Sequence, residues 1–134
     1  MVAAALGNSE DTRVVNIPLK KDTEAAYGVY DGKALVRIVA VNMKAFNEST
    51  PGDRPSSEYN FQLHGNHHRV KVERLFAPGS DSVNNVTFGG VSYDYNHKQG
   101  KPVTVSASKE ILEVQEGKVS IDIPDSSAVL LSLV

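Results

Sequence analysis

Three groups of side chains in this sequence have types and spacings that could do chemistry: a histidine cluster, scattered carboxylates and a set of tyrosines. His64, His67 and His68 lie close together, and two imidazoles facing each other across a turn could share a metal ion. A catalytic zinc needs three protein ligands, however, and no carboxylate falls in register beside them. A solvated polar turn is the favoured reading and no metal is expected; His64 and His67 are the only weak candidates. The acids number sixteen with Asp and Glu together. Glycoside hydrolysis uses two carboxyl groups about 5–9 Å apart. Glu110, Glu113 and Glu116 sit near a hairpin end, and Asp53, Glu58 and Asp94 sit in or beside loops. None is flanked by the apolar residues that would raise a general acid's pKa. Asn47-Glu48 has the dipeptide of many barrel glycosidase acid/base residues, but it opens a loop, and we read it as coincidence. There is no Gly-x-Ser-x-Gly elbow and no phosphate-binding glycine loop. Cysteine is absent, which excludes disulfides, thiolate zinc sites and a thiol nucleophile. No catalytic residue and no cofactor are therefore expected.

The tyrosines offer a different chemistry, because an aromatic ring can cover the apolar face of a sugar. Tyr93 and Tyr95 would share one face if residues 91–96 form a strand, which makes them carbohydrate-contact candidates. Tyr27 and Tyr30 are more distant possibilities. Packing on the core with the hydroxyls at the rim is the favoured alternative for all four. Two sequons, Asn47-Glu48-Ser49 and Asn85-Val86-Thr87, make Asn47 and Asn85 glycosylation candidates and hint mildly at a secretory ancestry.

The elements that must position these residues are strands. With 134 residues, 40% hydrophobic and 22% charged, the chain suits one soluble domain with its own core. A net charge of -2 argues against nucleic acid or an anionic membrane as an obligatory partner. No apolar run reaches the roughly 18–20 residues that span a bilayer. The apolar start, MVAAAL, is too short for a signal-peptide core and lacks a basic segment before it. Instead, residues 2–6 read as the end of a helix stopped by Gly7-Asn8, and a frayed terminus is the equal alternative. Residues 1–12 are thus assigned to a helical remnant, and 13–134 to a single β domain.

Within that domain, residues 13–17 form a short run ended by Pro18. Residues 25–30 and 34–41 flank Asp31-Gly32, a type I′ hairpin signal. The second strand, ALVRIVAV, is apolar throughout, as expected of burial on both faces. NESTPGDRPSS reads as a loop. Gly65-Asn66 predicts a two-residue hairpin that pairs Tyr59 with Val72, Phe61 with Val70 and Leu63 with His68, and sets His64 beside His67. Residues 102–107 alternate, with Val103, Val105 and Ala107 on one face. Glu116-Gly117 predicts a turn pairing Val114 with Val119 and Leu112 with Ile121. SAVLLSLV is a last apolar strand. The sum is an all-β, antiparallel β-sandwich of about 8–9 strands.

Five segments carry a resemblance: ALGNSEDTRVVNIPL, AAYGVYDGKALVRIVAVNM, VKVERLFAPGSDS, VTFGGVSYDYNHKQGKPV and VSIDIPDSSAVLLSLV. In this order they cover almost the whole chain, which resembles the C-terminal β-domain of glycoside hydrolase family 79, the β-glucuronidase and heparanase family, in its fungal and microbial branch. The resemblance implies a secreted β-sandwich packed beside a (β/α)8 barrel whose strands hold both catalytic glutamates. No barrel is present in the sequence, so no catalytic residue carries over and the chain is not expected to be an enzyme on its own. It also implies that chain from before the barrel often completes the β-domain. An unfilled sheet edge would then pair with a barrel-like partner or a second copy. An excised domain, a truncated product and a stand-alone module all fit. So do, as alternatives to a structural role, a carbohydrate-binding module and a secreted protein-interaction domain.

Overall fold

The computed structural model describes residues 1–106 and 109–134, and among them the chain is all-β and antiparallel. Its elements are α1 (Val2–Leu6), β1 (Thr12–Ile17), β2 (Glu24–Asp31), β3 (Ala34–Asn42), β4 (Ser56–Gln62), β5 (Arg69–Phe76), β6 (Thr87–Phe88), β7 (Val91–Ser92), α2 (Tyr95–Lys98), β8 (Val103–Thr104), β9 (Glu110–Glu113), β10 (Lys118–Pro124) and β11 (Ser127–Leu133). The eleven strands among the described residues exceed the eight or nine predicted because β6, β7 and β8 are two-residue pieces with little hydrophobic pattern to read.

The strands form two layers of unequal size. The large sheet runs β1-β2-β3-β11-β5-β6-β7-β8, with β9 also paired to β5; the small sheet is β4 with β10. The inner face of the large sheet presents Ala26, Ile38, Ala40, Val70, Val72, Val129 and Leu131, in matching registers across β2, β3, β11 and β5. The small sheet answers with Tyr59, Phe61, Val119, Ile121 and Ile123. Each strand contributes every second residue, as the pleat requires. At about 25 cal/mol per Å² of apolar surface removed from water, this shared core is the main stabilising term.

The turns are read well from sequence and the partners less well. Glu116 and Gly117 both have positive φ, 50° and 74°, as a type I′ turn requires. The bridge at Gln115 and Lys118 is the only ladder pair next to it. Beyond it the chains part, β9 to β5 and β10 to β4, so the predicted pairs of Val114 with Val119 and Leu112 with Ile121 do not extend into a hairpin. The first hairpin turns at Gly32-Lys33, one residue later than predicted, with Gly32 at φ 59° and Asp31 paired to Ala34. A positive φ at the first central residue only is the type II′ pattern.

The predicted hairpin around Gly65-Asn66 is the largest correction. β4 and β5 lie in different sheets: Tyr59 pairs with Ile121 and Phe61 with Val119, while Val72 pairs with Leu131 and Val70 with Leu133. The predicted apolar face is real, but its two halves meet across the core. Residues 63–68 make a corner instead of a tight turn. It is held where Leu63 N–H bonds the Gly117 carbonyl (2.7 Å) and Val114 N–H bonds the His68 carbonyl (2.8 Å). β3 differs too. Ile38 and Ala40 are buried, but Val39 and Val41 on the outer face, where α1 packs, are half-buried. The predicted strand at 102–107 shortens to β8, and its Ala107 lies outside the described residues.

Candidate functional site

The Tyr93–Tyr95 segment does not form the predicted strand. β7 ends at Ser92, whose buried hydroxyl lies 3.2 Å from His97 Nδ1 and accepts the Asp94 N–H at 3.2 Å. These contacts curl the chain into α2, so Tyr95 opens a helical turn and the two rings share no strand face. Nor do they pack on the core: Tyr93 is 58% exposed and Tyr95 74%. Tyr93 borders a groove of about 490 Å³ with Leu75, Val86, Phe88 and the Ala3–Ala4 side of α1. Tyr27 is also exposed, on the outer face of β2, and Tyr30 is half-buried with the Arg13 guanidinium 5.6 Å above its ring.

His64, His67 and His68 all lie in the corner between β4 and β5, and the expected cross-strand pair of His64 and His67 is not formed because those strands do not pair. Among the described residues no group of three or more His, Cys, Asp or Glu side chains could hold a metal ion. The carboxylates are engaged or solvated. Glu110 accepts two 2.7 Å bonds from Arg74, Glu58 accepts from Ser120 (2.7 Å), and Asp94 accepts the Asn85 N–H (2.7 Å). Asp53, Glu113 and Glu116 face solvent. Glu48 accepts from Ser82 at 3.0 Å and sits in a loop closed against residues 79–82. The hydrogen bond to Glu110 holds the Arg74 guanidinium above its ordinary pKa, and Arg74 also reaches the Asp122 carbonyl of the small sheet (2.9 Å).

The two sequons lie in different surroundings. Asn47 is exposed, but its carboxamide oxygen accepts from Ser80 at 2.7 Å. The loops meet tightly there: a Cβ on Gly79 would lie 2.1 Å from the Glu48 nitrogen. Asn85 is exposed with φ 60°, and nothing among the described residues bonds its carboxamide.

Sequence reasoning missed Arg54, the centre of a half-buried polar clasp. Its Nε donates to the Asp125 carbonyl (2.6 Å), and its two terminal nitrogens donate to Ala77 (2.7 Å) and Ser126 (2.8 Å). The guanidinium lies between the rings of Phe46 and Phe76, 5.3 and 5.5 Å from their centroids. Burial lowers its pKa, and the Asp125 charge works against that shift. Asp125, 2% exposed, accepts from Asn42 Nδ2 at 3.0 Å and pairs with Lys44 at 3.4 Å. This is structural chemistry: each of the three guanidinium nitrogens donates to a backbone carbonyl.

The feature without an internal purpose is the outer face of the large sheet. Val14, Tyr27, Val39 and Val41 point outward there, and α1 lies across it with Ala5 4% exposed. Arg37 ties the helix down through the Ala5 carbonyl (3.3 Å). Val2 and Leu6 of α1 join the four sheet residues in lining a wholly apolar groove of about 390 Å³. The sequence signal was present in the two-sided apolarity of β3. Unpaired edges are a second feature: among the described residues β4 and β10 pair only with each other, and β1 and β8 end the large sheet. A groove of about 650 Å³ runs past Leu112, Lys118 and Ser120, where β10 parts from β9.

Comparison with known proteins agrees with this architecture. Residues 26–130 match the family described as glycosyl hydrolase family 79 C-terminal beta domain. A β-glucuronidase of Aspergillus niger is 42% identical over 147 residues, 99% of this chain and 27% of that protein. A β-glucuronidase of Neurospora crassa is 30% identical over 99 residues, 59% of this chain and 18% of that protein. The chain thus spans about a quarter or less of the curated relatives it matches. The crystal structure of a 4-O-α-L-rhamnosyl-β-D-glucuronidase from Fusarium oxysporum, in its Rha-GlcA complex, superposes with a TM-score of 0.75 at 24% identity. It covers 90% of this chain and 26% of that one, a likeness of fold.

Proposed function

Because the chain belongs to the glycosyl hydrolase family 79 C-terminal β domain, we propose that it is a non-catalytic accessory β-sandwich of a β-glucuronidase-type hydrolase. It packs against and stabilises a catalytic (β/α)8 barrel, and it works outside the cell. The observation that carries this reading is the apolar outer face. An exposed groove without polar lining, built from Val14, Tyr27, Val39, Val41 and the outward side of α1, is costly to leave in water and suited to a partner domain. The two named relatives supply the occupant, since most of their length lies outside the part this chain matches. The free edges of β4 and β10 offer the same partner, or a second copy of the chain, a place to add a strand. The chemistry is left to the partner, because the carboxylates here are held by Arg74, Ser120 and backbone N–H groups or face water.

A chimera tests the proposal. This chain replaces the matching quarter of the Aspergillus niger β-glucuronidase. The expected result is a chimera that hydrolyses a β-glucuronide while the isolated chain does not. Val39→Asp should lower the melting temperature of the chimera more than that of the isolated chain. Hydrolysis by the isolated chain, or equal loss in both contexts, would overturn it.

A further inference from the structure

The segment that carries the exposed tyrosines is tied to the Asn85 sequon. Asp94, between Tyr93 and Tyr95 in sequence, accepts the Asn85 N–H at 2.7 Å, and Asn96 Nδ2 reaches Asn84 Oδ1 at 3.5 Å. Val86 and Tyr93 line the same groove. Asn85 is exposed with φ 60°, and Tyr93, next in sequence to the Asp94 that accepts its N–H, is 58% exposed. A lone exposed tyrosine needs no explanation, but an exposed ring one residue from the Asp94 that holds the Asn85 backbone matches a specific ligand. The acetamido sugar that N-glycosylation places on asparagine has an apolar face that stacks on aromatics.

We propose that Asn85 carries an N-linked glycan whose first N-acetylglucosamine lies over Tyr93, with Tyr95 at its rim. The inference rests on the secretory location in the function proposed above, and not on the docking face. In the transfer, Asn85 Nδ2 attacks C1 of the reducing-end sugar of a lipid-pyrophosphate oligosaccharide donor. The C1–O bond to pyrophosphate breaks, the N–C1 bond forms, the lipid pyrophosphate leaves, and the host transferase takes the amide proton. Nothing among the described residues bonds the Asn85 carboxamide, so attaching the sugar displaces no partner among them. Asn47 is the poorer site, with its oxygen held by Ser80 and its loop pressed against Gly79.

The full chain is secreted from a fungal host behind a leader peptide, and a second sample is made in the bacterial cytosol. Intact mass should show a glycan on the secreted sample that is lost in Asn85→Gln and kept in Asn47→Gln. After trimming to a single N-acetylglucosamine, tetranitromethane should fail to nitrate Tyr93, whereas Tyr93 of the bacterial sample reacts. A secreted protein bare at Asn85, a glycan lost only in Asn47→Gln, or equal nitration of Tyr93 in both samples would overturn the proposal. None of these outcomes touches the chimera experiment, so the two readings fail separately.

Discussion

Truncating Arg54 would leave the Ala77, Asp125 and Ser126 carbonyls without their donor and remove the cation between Phe46 and Phe76. Charge-assisted hydrogen bonds and buried ion partners make such losses large. Arg54→Ala should therefore cost about 3–4 kcal/mol in urea unfolding. Arg54→Lys should recover less than half, because an ammonium cannot present the planar fork that reaches three carbonyls. Tyr59 gives a pH signature. Burial first, and then the charges of Glu24 and Asp125, push its pKa up to about 12, while its hydroxyl donates to the Val41 carbonyl at 3.5 Å. A pKa raised on folding means the folded state holds the proton more tightly than the unfolded chain. That stability is fully present below about pH 10, the unfolded value, and is lost as pH rises toward 12. Melting curves between pH 9 and 11.5 should fall more steeply for the wild type than for Tyr59→Phe; parallel slopes would sink the prediction. Tyr59 was read from the sequence only as a strand residue of an apolar face, and Arg54 did not stand out at all. An arginine in a Gly- and Pro-rich loop becomes legible only when distant carbonyls converge on it, whereas a sequon such as that at Asn85 is a local pattern.

Among the elements, sequence told which face of a strand is buried more reliably than which strand lies beside it. Tyr59, Phe61, Val70 and Val72 are core residues as the alternation requires, yet β4 and β5 belong to opposite layers. Alternation with period two is satisfied equally by a neighbour in the ladder and by a layer across the core, and Gly65-Asn66 serves as a corner as readily as a turn. The two-residue strands were illegible for a simpler reason: a pair such as Thr87–Phe88 is too short to show a period. α1 was legible in kind from its alanines and Gly7. A five-residue helix has no stability of its own, because nucleation outweighs so few hydrogen bonds. It holds to β3 through Ala5 and the Arg37 contact. Ala5→Asp should therefore release the helix alone. Amides of residues 2–6 should exchange at coil rates while the global unfolding midpoint moves little. A cooperative loss of the whole fold would show that α1 is part of the core.

At the scale of the molecule, the family was legible because five collinear segments each carry turn and core residues of one architecture. The inequality of the layers was not, since no local signal says that only two strands will face the rest. That inequality and the apolar outer face predict behaviour in solution. The isolated chain should self-associate as its concentration rises, read by size-exclusion chromatography with light scattering. Val14→Asp with Val39→Asp should shift it toward monomer, since both side chains face outward from the sheet. A wild type that stays monomeric at high concentration would remove the support for a sticky face.

β11 lies between β3 and β5, and it joins the β1–β3 half of the large sheet to the β5–β8 half. It is also the last strand of the order to be synthesised. On the ribosome, every earlier strand would be out while the middle of the sheet still lacked its keystone. Two half-sheets would wait with open inner edges, and the final insertion must satisfy ladders on both sides at once. Vectorial synthesis thus allows each half to pair first and leaves their joining to β11. Until β11 is in place, the open inner edges of β3 and β5 are surfaces for aggregation or chaperone capture.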